Sequence, residues 1–76
     1  MSDDSEQKTL KDWRRARWLT QAELAGKVGV SHYAVSNWET GIKKPRMGHM
    51  RKLAEVLGIS PDQIILPERG KERPAA

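Results

Sequence analysis

Cysteine and phenylalanine are both missing from this 76-residue sequence, and tyrosine occurs once. Without cysteine there are no disulfides and no thiolate metal sites, so stability has to come from packing, which suits a reducing cytoplasm. Aromatic residues make up 5% of the chain, three Trp and one Tyr, so any aromatic weight in a core falls on tryptophan. No apolar run approaches the length of a membrane span or a signal-peptide core, and the acidic opening Met1-Ser-Asp-Asp-Ser-Glu lacks the basic start of a secretory signal. A cytoplasmic protein with no membrane role is expected. No stretch alternates with period two for long enough to predict a strand. Chemistry is sparse as well. There is no nucleophile–base pair, no phosphate-cradling glycine loop and no carboxylate cluster, so an enzyme is not expected. His32 and His49 stand without accompanying Cys or clustered carboxylates, so neither a metal site nor a cofactor is expected.

What remains is short, charged and basic. The length suits one domain with one modest core. Charged residues are 32% and the hydrophobic set 37%, which fits a folded domain with a heavily solvated surface. The net charge is +4 and it is unevenly spread. Residues 9–66 carry ten Lys/Arg against five Asp/Glu, whereas Asp3, Asp4 and Glu6 outweigh Lys8 at the start. A basic middle attracts polyanions, nucleic acid first. Residues 1–8 are polar and aperiodic, and residues 67–76 combine two prolines, a glycine and mixed charge. Both are expected to be flexible tails around a domain over 9–66.

That middle predicts five short helices, an all-α fold. The first runs from about Leu10 to Arg17, with Leu10 and Trp13 on one face. The second opens on Thr20 with Glu23 three residues on, a capping box, and stops at Gly29. The third opens on Ser31 and runs to Thr40, with Gly41 as its stop. The fourth starts near Pro45 or Arg46, carries the apolar stripe Met47, Met50, Leu53, Ala54, Leu57 and ends at Gly58. The fifth is capped by Ser60, has Pro61 as its first residue and ends near Leu66. Trp13 and Trp38, with the Met47/Met50 stripe, are expected in the core, and His49 as a solvated helix residue.

The second and third helices meet across a turn of a few residues. A sharp crossing needs a small residue at the contact, supplied by Ala25, and a turn residue free to take positive φ, supplied by Gly29. Val30 plugs the turn from beneath, and Val35 and Trp38, three apart, point back to the core. His32, Tyr33, Ser36, Asn37 and Thr40 are then left outward. They are mostly hydrogen-bonding residues without Lys, Arg or Glu, a surface suited to reading base edges. Asn in particular offers adenine a donor and an acceptor together.

The spacing Gln21, Leu24, Ala25, Gly29, Val30, Val35, Trp38, Glu39, Gly41, Pro45 resembles the phage-repressor and Cro-like helix-turn-helix family, also called the xenobiotic-response-element family, over about residues 9–66. The resemblance implies a compact five-helix repressor-like domain that binds double-stranded DNA, reading the major groove with the helix over 31–40. It places His32, Tyr33, Ser36 and Asn37 toward base edges. Thr20, Gln21, Ser31, Thr40, Lys43, Lys44 and Arg46 fall toward the DNA backbone. It implies that Arg14 and Glu39 form a structural ion pair between the first and third helices. One position departs from the pattern: relatives often carry glycine where this chain has Trp18.

A ten-residue helix reads few base pairs, so a transcriptional regulator, a repressor, acting as a homodimer on an inverted repeat is expected. Ile59, Ile64, Ile65 and Leu66 are more apolar surface than one short helix buries within its own domain, and they are the expected dimer contact. The alternatives are an antitoxin with a protein partner and a restriction–modification control protein.

Overall fold

The computed structural model describes residues 6–67. The expectations for residues 1–5 and 68–76 lie outside the described residues. The order of elements is β1 (Lys8–Thr9), α1 (Leu10–Ala16), α2 (Gln21–Val28), α3 (His32–Thr40), α4 (Met47–Leu57), a 3-10 turn (Pro61–Gln63) and β2 (Ile64–Ile65). The fold is therefore mostly helical, with four α-helices among the described residues rather than five.

The helix starts follow the residues that satisfy their first-turn amides. Thr9 accepts from the Asp12 amide at the head of α1. Thr20 and Glu23 complete a reciprocal capping box on α2, and Ser31 accepts from the Ala34 amide on α3. The helix ends follow positive φ. Gly29, Gly41 and Gly58 take left-handed conformations after α2, α3 and α4. After α1 that role falls to Trp18, at φ 60°. The Trp18 amide donates to the Arg15 carbonyl and the Leu19 amide to the Arg14 carbonyl, the paired bonds of a Schellman ending. A side chain at such a position costs about 1–2 kcal/mol relative to a right-handed conformation.

One core joins all four helices. Leu10 and Trp13 from α1, Leu24 and Ala25 from α2, Val35 and Trp38 from α3, and Leu53 and Leu57 from α4 pack together with Ile64. Val30 packs against this cluster from the α2–α3 turn. Met50 joins it in part, but Met47 is 69% exposed. The expected stripe on α4 thus starts one turn later, because Met47 is the first helical residue and Arg46 its cap. His49 also departs from expectation: it is half-buried, its ring centroid 5.2 Å from that of Trp38.

The expected fifth helix is one 3-10 turn that passes straight into a strand. Two consecutive β-branched residues, Ile64 and Ile65, favour the extended conformation. They find a parallel partner in the residues before α1, with Lys8 opposite Ile64 and Thr9 opposite Ile65. Gln63 locks the pairing in place. Its side-chain amide donates to the Glu6 carbonyl and its Oε1 accepts from the Ser60 amide, while its backbone carbonyl accepts the Trp13 indole N–H. Gln7 adds a bond to the Asp62 carbonyl. Residues 6–8, expected in the tail, are therefore part of the folded unit.

Ile64 is corrected by the same geometry. Expected at a dimer contact, it is 7% exposed and belongs to the core of its own domain. Ile65 points the other way and is exposed, with Ile59 and Leu66 half-buried beside the core.

Candidate nucleic-acid interface

The site is built on the two helices that flank Gly29. Its amide donates to the Ala25 carbonyl, and so does that of Val30, which turns the chain sharply before Ser31 starts α3. The inward residues of α3, Val35 and Trp38, are buried. His32, Tyr33 and Thr40 are exposed, and Ser36 and Asn37 are half-buried between the two faces. The His32 and Tyr33 rings lie 4.1 Å apart by centroid, tilted by 32°, and form one aromatic end to the outward face.

A carboxylate between three helices fixes the pose of α3. Glu39 is on α3, its side chain 3% exposed. The Arg14 Nε donates to Glu39 Oε2 at 2.6 Å and Nη2 to Oε1 at 3.2 Å, a two-bond fork from α1. The Arg14 Nη1 also donates to the Leu19 carbonyl at 2.8 Å. From α2, the Gln21 side-chain amide donates to Glu39 Oε1 at 3.0 Å. The ion pair expected of Arg14 and Glu39 is formed, and Gln21 is drawn into it, a link that the sequence pattern did not reveal. A primary amide has two N–H groups, so Gln21 retains one donor for the outside.

The remaining backbone-contact candidates divide by what their polar groups already do. The Thr20 and Ser31 hydroxyl oxygens accept cap bonds and keep their own protons to donate. The amides of Gln21 and Ala22 precede the first internal bond of α2, which the Leu24 amide makes to the Thr20 carbonyl, the usual setting for an anion. Lys43, Lys44 and Arg46 are exposed in the segment between α3 and α4, which the Lys43 amide ties to the Asn37 carbonyl. Thr40 differs. Its hydroxyl donates back to the Ser36 carbonyl at 3.0 Å and the Asn37 carbonyl at 3.3 Å, so its proton is already engaged within α3.

An open groove runs along this face at the end of α1. Arg14, Arg15, Trp18, Leu19, Thr20, Gln21, Ala22 and His32 line it. Trp18 was left by the sequence pattern as a mismatch; the structure puts it beside the candidate contacts.

A helix-turn-helix family model matches residues 10–64, which takes in all four helices and the 3-10 turn. The chain belongs to the phage-repressor and Cro-like helix-turn-helix family. Members of this family are DNA-binding transcriptional regulators, not enzymes. An HTH-type transcriptional regulator of Sinorhizobium fredii, y4dJ, is 33% identical over 54 residues, 71% of this chain and 70% of that protein. The P22 c2 repressor, solved in complex with a synthetic operator, superposes with a TM-score of 0.68 at 34% identity, over 70% of this chain and 80% of its own. SinR, solved in complex with SinI, gives the same TM-score at 24% identity over 87% of this chain and 64% of that one, a likeness of fold. In this helix-turn-helix family member α2 and α3 are the two helices of the motif, and α1, α4 and the β1–β2 pair are the frame that holds them. Among the described residues no helix is long and apolar enough to cross a membrane.

Proposed function

We propose that this chain is an operator-binding repressor that acts as a homodimer on an inverted repeat of double-stranded DNA. The observation that carries the reading is the one-sided anchoring of α3. Val35, Trp38 and Glu39 hold its inner side, while His32 and Tyr33 are exposed on the outer side and Ser36 and Asn37 lie half-buried at its border. In the major groove these four face base edges, with Asn37 suited to adenine. Thr20, Gln21, Ser31, Lys43, Lys44 and Arg46 then flank the helix as phosphate contacts that set its register. Thr40 joins them only if its hydroxyl leaves the carbonyls of its own helix. The P22 c2 repressor, similar over most of this chain, was solved on operator DNA, which supports the reading.

Ile59, Ile65 and Leu66 form the dimer contact in this proposal. A two-fold axis through them would have to present the two recognition helices to half-sites about 34–36 Å apart.

The test is selection of binders from a random duplex pool at about 150 mM salt, where weak backbone binding is suppressed. An enriched inverted repeat is the expected result. A single, unrepeated motif would remove the dimer from the proposal. No enrichment at all would overturn operator binding and direct the search to a protein partner, as for an antitoxin.

A further inference from the structure

Trp18 breaks two rules at once. It occupies the left-handed position that ends α1, where the other three helices among the described residues have glycine. It is also 90% exposed, so little packing among the described residues offsets the strain. The left-handed turn serves to end α1, but it does not need an indole, and a costly residue at such a turn is a candidate for a functional role. The other two tryptophans obey the rules: Trp13 and Trp38 are buried in the core.

The surroundings identify the occupant. Trp18 lines one groove with Arg15, Thr20, Gln21 and His32, and with the apolar Leu19 and Ala22. The groove thus sets donors and a cation beside the Trp18 and His32 rings and a small apolar strip. An apolar protein surface would leave those donors unsatisfied. A deoxyribose–phosphate unit matches them: its C–H face lies flat on an indole, and its anionic oxygens take N–H and O–H bonds. The groove is also continuous with the proposed contacts, since Thr20, Gln21 and His32 belong to both.

We propose that Trp18 is a DNA-backbone contact residue. Its ring lies against the sugar next to the phosphate held by Thr20 and Gln21, with the indole N–H donating to a neighbouring phosphate and Arg15 flanking it. The inference rests on the operator-binding reading and extends its footprint from α3 to the end of α1. Because every nucleotide has the same sugar and phosphate, this contact adds affinity on all sequences and selects none of them.

The experiment uses the full chain, the selected duplex and a random duplex of equal length. Trp18→Gly suits the left-handed turn, so its melting temperature is expected to be no lower than that of the natural chain. Its affinity is expected to fall about tenfold on both duplexes by the same factor, the scale of one good aromatic contact. In the natural chain, acrylamide reaches Trp18 and not the two buried tryptophans, so quenching of indole emission is expected to drop when either duplex is bound. A loss confined to the selected duplex would overturn the backbone assignment in favour of base reading. Undiminished affinity of the variant, or quenching that persists in the complex, would overturn the contact while operator binding stood. Binding of neither duplex by the natural chain would overturn both readings together.

Discussion

Glu39 takes hydrogen bonds from two different helices, and very little water reaches it. Its partner Arg14 is also mostly covered, with 11% of the side chain exposed. For a buried pair, removing one member is far more damaging than the net value of the pair, because the other charge is left without compensation. Arg14→Ala is therefore expected to lower stability by on the order of 3 kcal/mol, read by chemical or thermal denaturation. Gln21 would still donate to Glu39, so the loss is expected to stay short of complete unfolding. Normal melting with reduced DNA affinity would instead make Arg14 a DNA contact. Asn37 is the opposite kind of residue: among the described residues no hydrogen bond engages its side chain, and it lies half-buried at the border of the outward face of α3. Asn37→Ala is expected to leave melting unchanged and to cost about 1–3 kcal/mol of binding, with relaxed preference at one base position. Binding competitions against single-base variants of the selected duplex measure this. An equal loss on every sequence would show that Asn37 reads no base.

At the level of elements, the features visible in the sequence were the ones decided by neighbours in the chain. The capping box of Thr20 and Glu23, the Ser31 cap and the glycine stops at 29, 41 and 58 each act within a few residues, so their residue types announce them. The outward and inward faces of α3 followed from helical period alone. The β1–β2 pair was not legible, because two residues are too few to show alternation, and the partners are 56 positions apart. Reading Ile64 as surplus apolar surface was a consequence: without the strand, nothing in the local pattern turns it inward. The Gln21–Glu39 bond was hidden for a similar reason, since it depends on how two helices cross. The strand pair also yields a test. Deleting residues 1–8 removes Lys8 from the ladder and the Glu6 and Gln7 bonds to the 3-10 turn. With each net hydrogen bond worth about 1 kcal/mol, the truncated chain is expected to lose about 2–3 kcal/mol. Denaturant midpoints compare the two forms. Equal stability would restore the view of these residues as a passive tail.

For the whole molecule, the basic excess of the middle segment and the spare apolar surface act at different ranges. Charge governs the approach to DNA and its salt dependence, whereas Ile59, Ile65 and Leu66 govern how many copies arrive. Ile65 is the most exposed of the three and does not serve the core, so Ile65→Glu tests assembly without touching the fold. Sedimentation is expected to show a monomer with natural melting behaviour, and affinity for an inverted repeat is expected to fall while a single half-site is bound as before. A dimer that survives the substitution would place the contact elsewhere. The anchoring of α3 has a consequence for how such a protein diversifies. Every group that fixes the helix, from the Val35 and Trp38 side chains to the Glu39 fork, lies on its inner side, and the exposed His32 and Tyr33 contribute nothing to that grip. The outer side is thus an interchangeable cassette: new side chains there rewrite the address on the DNA while the chassis beneath stays the same.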